Sequence, residues 1–177
     1  MATETFEEML TGGHHNSLGR TIEVVDLVLA DREKLEDLYQ CYFSEDEVVR
    51  LRVSNGVRRV CVEHPEWVVP YLDRLLTVIS QIDQASTQWT LAKLFQMLES
   101  TMTESQKKQA TEHMKHNVAT HNDWIVLNNT METLTDWSLM GDAGLREWLL
   151  PHLERLKGDT RKSVSARAKK YLAKLEQ

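Results

Sequence analysis

Apolar residues recur along most of this chain at the i, i+3, i+4, i+7 spacing that gathers them on one face of an α-helix. The pattern reads Val53, Gly56, Val57, Val60; then Leu91, Leu94, Phe95, Leu98; then Leu127, Thr130, Met131, Leu134; then Ala168, Tyr171, Leu172, Leu175. Successive patterns start 38, 36 and 41 residues apart, a period that fits two helices and their turns. These stretches are therefore read as the first helices of successive pairs. Gly56, Ala92 and Ala168 within them are small enough to let neighbouring helices approach. Second helices are predicted between them, over about 31–43, 68–82, 104–119 and 145–157. One more first helix fits 16–30, with Ile22, Val25 and Leu29 on one face, and residues 1–10 read as a short cap through Phe6, Met9 and Leu10. The loop 11–16, with Gly12 and Gly13, is expected to be mobile. No stretch alternates as a strand would.

End signals agree with this phase. Ser44, Glu45, Asp46 and Glu47 precede one first helix, where acidic side chains suit the positive helix end. Thr103 with Gln106 three residues on has the form of a capping box, and Asp123 stands at an N-cap position. Pro65 and Pro70 are placed at the hairpin turn and the start of the following helix, Gly158 at a helix end, and Asp159 as the cap of the last helix.

The chain also repeats itself in letters. Glu66, Trp67, Pro70, Leu72, Arg74 and Leu75 return as Glu147, Trp148, Pro151, Leu153, Arg155 and Leu156, an offset of 81 residues, about two periods. Between them Val68 and Val69 become Leu149 and Leu150, and Asp73 becomes Glu154.

Composition narrows the class. With 177 residues, 41% of them hydrophobic, one continuous core can form, and three prolines with seven glycines argue against disorder. A net charge of −6 disfavours a protein that lives on nucleic acid or anionic lipid. No run of about 18 apolar residues exists to span a membrane. Glu4, Glu7 and Glu8 near the N-terminus are unlike a secretory signal. Cys41 and Cys61 lie in apolar helical patterns and form no disulfide framework, which makes a reducing, cytoplasmic setting the default.

Val49-Arg50-Leu51-Arg52-Val53, followed by His64-Pro65-Glu66-Trp67-Val68-Val69-Pro70-Tyr71-Leu72, resembles a HEAT repeat of the armadillo-type superhelix; Val164-Ser165-Ala166-Arg167-Ala168 echoes the first-helix part. The resemblance implies an all-α fold, a right-handed α-α superhelix of about four helical hairpins plus a terminal helix. It divides the chain into a cap helix and mobile loop over 1–15 and a single repeat domain over 16–177, with repeats near 16–43, 46–83, 84–120 and 121–157 and a final helix over 159–177. It also implies a scaffold whose concave face holds a protein or peptide.

Stepping along the second helices gives a stripe beside the main apolar one: Trp67, Pro70, Tyr71, Arg74, and again Trp148, Pro151, His152, Arg155. Trp, Tyr and Arg dominate protein interfaces, so Trp67, Tyr71, Arg74, Trp148, His152 and Arg155 are candidate partner-binding residues. The competing reading wedges both tryptophans into the core between hairpins. His113 and His116 share a helix face as a metal pair would, with His121 beyond, but no third ligand is fixed, and a solvated face among Lys107, Lys108 and Lys115 is the expected arrangement. No phosphate loop, nucleophile elbow or paired-cysteine motif appears, so neither cofactor nor catalytic residue is predicted.

Charge is uneven. Residues 1–90 carry 16 acidic and 8 basic side chains, residues 91–177 carry 11 and 13. Arg161, Lys162, Arg167, Lys169, Lys170 and Lys174 form a basic C-terminal surface, either a contact for an acidic partner or a solubilising end to the array. The leading expectation is a non-enzymatic scaffold for a protein or peptide. The alternative is a nucleic-acid protein: HEAT-like alkylpurine DNA glycosylases are similar in architecture, and the resemblance would give Trp67 with Asp73, or Trp124 with Asp123, the roles of their tryptophan and carboxylate. The acidic balance weighs against it. Oligomeric state is left open.

Overall fold

The computed structural model of the chain describes residues 3–177, and every regular element among them is a helix. Met1 and Ala2, the start of the expected cap segment, lie outside the described residues. The chain divides into two compact units, residues 1–90 and 91–177. The division falls inside the helix Ala85–Leu98, within the third expected repeat.

Unit 1 is built around α4 (Glu47–Glu63), whose N-cap Asp46 accepts the Val48 N–H. α1 (Phe6–Leu10), α2 (Thr21–Ala30) and α3 (Leu35–Gln40) all lie against it. The predicted stripe Val53, Gly56, Val57, Val60 is fully inside. On α2, however, the buried face is Thr21, Val24, Val25 and Val28. Ile22, expected to share the core face, is 43% exposed. Three α2 positions of the expected face are too few to set its phase, and packing against α4 rotates the helix toward its three valines.

The second helix expected over 68–82 is broken into α5 (Pro65–Val68), a 3-10 turn (Val69–Tyr71), α6 (Leu72–Thr77) and a further 3-10 turn (Ile79–Gln81). Pro70 thus sits inside this element and not at its start. Barely one turn has formed after Pro65 when Pro70 withdraws an N–H and crowds the carbonyl four residues back. In the second copy of the motif, Asp142 caps α10 (Ala143–Lys157), two turns precede Pro151, and the helix runs through it.

The glycine-rich loop after α1 is gathered onto one side chain. Arg52, 1% exposed on α4, donates to four backbone carbonyls: Leu10 at 2.6 Å, Gly12 at 2.7 Å, Ser17 at 3.1 Å and His14 at 3.3 Å. The loop turns toward it through positive φ at Gly12, Gly13 and Gly19. At Gly19 a Cβ would lie 2.7 Å from the Arg52 guanidinium carbon.

Unit 2 holds the rest of α7 (Ala85–Leu98), then α8 (Glu104–Thr120), α9 (Trp124–Leu139), α10 and α11 (Lys162–Leu175). α9 packs against α8, α10 and α11, and α10 against α11. Residues Leu91, Leu94, Phe95 and Leu98 are buried, as are Leu127, Thr130, Met131 and Leu134. Thr133 donates to the Ala92 carbonyl (3.0 Å), Gln96 to Asp136 (2.7 Å), and Lys93 pairs with Glu132; the partners stand 39 to 41 residues apart, one period of the sequence pattern. The Thr103–Gln106 capping box and the Asp123 cap form as expected. Asp159 does not cap α11. It accepts the Arg161 N–H and grips the Arg161 guanidinium ahead of the helix, which starts without a side-chain cap.

Candidate functional site

The repeated stripe becomes a half-buried seam between second-position helices in each unit. In unit 1, His64, the residue before Pro65, stacks on Trp67 with centroids 4.0 Å apart and planes 7° apart, while the Arg32 guanidinium stands 6.0 Å from the Trp67 ring. Arg74 lies over both Tyr39 and Tyr71, at 4.3 and 4.4 Å, and forks onto the Glu36 carboxylate of α3 with two 2.9 Å bonds. That fork holds the Glu36 carboxyl down to about 2 against its burial. Burial, followed by the Glu36 bond and charge, pushes the Tyr71 phenol up to about 12.

In unit 2 the tryptophan and the arginine keep these roles with other partners, while His152, at the position of Tyr71, takes the stacking place that His64 fills in unit 1. Trp148 stacks with His152 at 4.1 Å, and Lys115 of α8 lies 5.3 Å from the Trp148 ring. Arg155 reaches the Val118 carbonyl of α8 at 2.9 Å. The repeated arginines thus bind the preceding second-position helix 38 and 37 residues back. Exposed cation–π and ion pairs of this kind contribute up to about 1 kcal/mol each, so the seam fixes register more than it adds stability.

Neither sequence-level reading of the stripe is complete. Trp67 and Trp148 stay out of the buried core, where the tryptophan inside is Trp137. Yet Arg74 is already occupied by Glu36 and the two tyrosines, and Tyr71 with it. Trp148 also lines an open cleft.

That cleft, about 780 Å³, runs between α8 and α10 within unit 2. Lys107, Lys108, Thr111 and Lys115 line one side; Trp148 and the α9–α10 turn at Met140 and Gly141 line the other. Trp137, 1% exposed, borders it from below, and its indole N–H has no acceptor. Such an orphan donor costs about 1–3 kcal/mol. The Lys107 ammonium stands 5.4 Å over the same ring and pairs with Glu99, and Lys115 pairs with Glu112. Asp142 is taken up in capping Leu145. Lys108 makes no ion pair among the described residues. This site was not singled out in sequence. Extending the α9 stripe one step past Leu134 reaches Trp137, but the pattern cannot tell a ring sealed in the core from one beneath a cleft.

The basic C-terminal surface is partly spent internally. Arg161 binds Asp159 and the Asn122 carbonyl, Lys174 stands 3.8 Å from Asp136, and Arg167 donates to the Tyr171 hydroxyl at 3.4 Å. Lys162, Lys169 and Lys170 remain exposed.

His113 differs from the solvated face expected for it. Burial, and then the charge of His116, push its imidazole down to about 4. His121 accepts the Asp123 N–H and His116 contacts Thr120. No group of three or more His, Cys, Asp or Glu side chains among the described residues is placed to hold a metal. Trp124 is 49% exposed, while the Asp123 carboxylate accepts the Ile125 and Val126 N–H groups. Cys41 and Cys61 are free, buried thiols, pushed up to about 12 by burial. No helix among the described residues is long and apolar enough to cross a membrane.

No protein-family model matches the chain, and no curated protein matches it. Among solved structures the chain is similar to the crystal structure of an engineered protein from the Northeast Structural Genomics Consortium. The TM-score is 0.66 at 16% identity, covering 97% of this chain and 79% of that one. At that identity the likeness shows the fold, an all-helical one, and nothing about activity.

Proposed function

We propose that this chain is a non-enzymatic, HEAT-like helical scaffold that holds an extended segment of a protein partner in the cleft between α8 and α10. The observation that carries the reading is the open cleft itself, walled by the half-buried Trp148 ring and the exposed Met140 side chain. An apolar side chain of the segment covers Trp148 and Met140. Aromatic anchors of this kind are where binding energy concentrates. The intramolecular spacing of 37 to 41 residues between hydrogen-bonded helices supports the repeat architecture, and both helices of the cleft are second-position helices, the layer expected to line a concave face.

The test is selection of peptides from a displayed library on the full chain, followed by titration of the selected peptides against two variants. Met140→Asp puts a charge on the exposed apolar wall of the cleft and is expected to weaken them five- to tenfold. Trp148→Ala is expected to weaken them by at least about tenfold with the folded state retained. Peptides that bind both variants as they bind the parent chain would overturn the assignment.

A further inference from the structure

A second cleft, of about 570 Å³, lies in unit 1 between α1 and α3 and shares no residue with the proposed peptide site. Met9 of α1 and Cys41, just after α3, are each 5% exposed and form its apolar floor. Phe6 of α1 and Leu27 of α2 stand half-buried along it. Leu10, which shares the expected apolar face of the first segment, is fully inside, so Phe6 is the part of that face left open to the cleft.

The rim is acidic. Glu4, Glu7 and Asp37 line it against one lysine, Lys34. Glu4 is held by Arg20 at 2.8 Å. The Glu7 and Asp37 carboxylates are exposed, and among the described residues neither makes an ion pair or a hydrogen bond. Lys34, in the same lining, comes within ion-pair distance of neither. Both carboxylates act on the Cys41 thiol, whose proton is held on first by burial and then by the charges of Glu7 and Asp37. Two carboxylates from two helices thus border one apolar floor, with no cation closed on either. The unit around them has the same sign, 16 acidic and 8 basic side chains over residues 1–90. Rim and unit therefore both favour a positively charged visitor.

An acidic rim around an apolar floor fits a side chain that is apolar along its stem and cationic at its tip. Lysine and arginine are built this way, and lay their methylene stems on apolar surface while the charged head stays at the edge. We propose that the α1–α3 cleft is a docking site for a basic segment of a partner protein, whose side-chain stems cover Phe6 and Leu27 and whose cations close on Glu7 and Asp37. The charge-assisted bonds fix the orientation of the segment, and the opposed potentials speed its encounter with the unit.

The probe is a short acetylated, amidated peptide of lysines and leucines, beside a twin in which every lysine carries an Nε-acetyl group. Each is titrated into the full chain labelled with nitrogen-15 at physiological salt, reading the Phe6, Leu27 and Cys41 amide resonances. The lysine peptide is expected to shift all three saturably, and the acetylated twin to bind at least about tenfold more weakly. Glu7→Gln combined with Asp37→Asn is expected to cost at least about tenfold in affinity; both carboxylates are exposed and unbonded, so folding is retained. Glu45→Gln, an exposed carboxylate of the same unit outside the cleft, should leave the affinity unchanged. Absence of a saturable shift, equal binding by the twin, or an equal loss in Glu45→Gln, which would mean diffuse attraction to the unit, would each overturn the proposal. So would equally tight binding of n-butylamine, a small amine in place of a protein segment, or saturation only after removal of the first two residues, which would mean that the start of the chain covers the cleft. Trp148→Ala should leave this titration unchanged, so its outcome is separable from that of the peptide cleft between α8 and α10.

Discussion

Arg52 shows how much one side chain decides. Among the described residues no carboxylate pairs with it; its charge is held by the dipoles of four carbonyls at the start of the chain. Removing the cation orphans those carbonyls and releases the loop. Arg52→Ala is expected to cost about 3 kcal/mol in urea unfolding, and Arg52→Lys nearly as much, because one ammonium cannot span the positions a planar fork reaches. A loss below about 1 kcal/mol for the alanine variant would contradict the assignment. The glycines around it divide into two kinds. Gly19 has positive φ and no room for a methyl group against Arg52, so Gly19→Ala should destabilise. Gly56, read from the pattern as a close-approach residue, would place its Cβ 3.5 Å from Leu38, an ordinary contact. Gly56→Ala should therefore raise stability by about 0.5–1 kcal/mol through helix propensity, measured by the same unfolding curve.

At the scale of elements, one motif folds in two ways. Pro70 interrupts a helix that has scarcely begun, and the chain continues through 3-10 turns. Pro151 enters a helix already capped by Asp142 and remains helical. Pro151→Ala restores a missing N–H to a continuous helix and is expected to raise the unfolding midpoint of α10's unit by about 1 kcal/mol equivalent, less the entropy gained by the unfolded chain. Pro70→Ala, with irregular turns on both sides, is expected to gain less; the reverse order would show that Pro70 alone breaks its element. The seam follows the motif more faithfully than the helix does. The tryptophan meets a cation and the arginine reaches one period back in both copies, although Glu36 in one unit is replaced by a backbone carbonyl in the other. Sequence placed these residues on one stripe. Their partners come from a helix some 35 residues earlier and could not be read from the stripe itself.

Across the whole molecule, two titrations set opposite corners of the acid response. His113 has a folded value of about 4 against an ordinary 6.5. The unfolded chain therefore takes up its proton first, and stability falls as pH drops from about 6.5 to about 4. Glu36, held at about 2 against an ordinary 4.5, contributes stability above that ordinary value that is lost as pH falls from about 4.5 to about 2. Urea midpoints followed against pH should show both windows; His113→Gln should flatten the upper one and Arg74→Gln the lower. A level profile between pH 6.5 and 4 for the parent chain would contradict the burial of His113. What the amino-acid pattern determined by itself is the all-helical class, the period near 38 residues, the buried stripes of α4, α7, α9 and α11, and most of the caps. Periodicity and capping are local properties, set within a few residues along the chain. What only the tertiary structure decided is the face that α2 buries, the grip of Arg52 on the first loop, the occupation of Arg74 and the cleft beside Trp148. Each depends on which distant side chain fills, or fails to fill, the space beside it, and no spacing along a single helix carries that information.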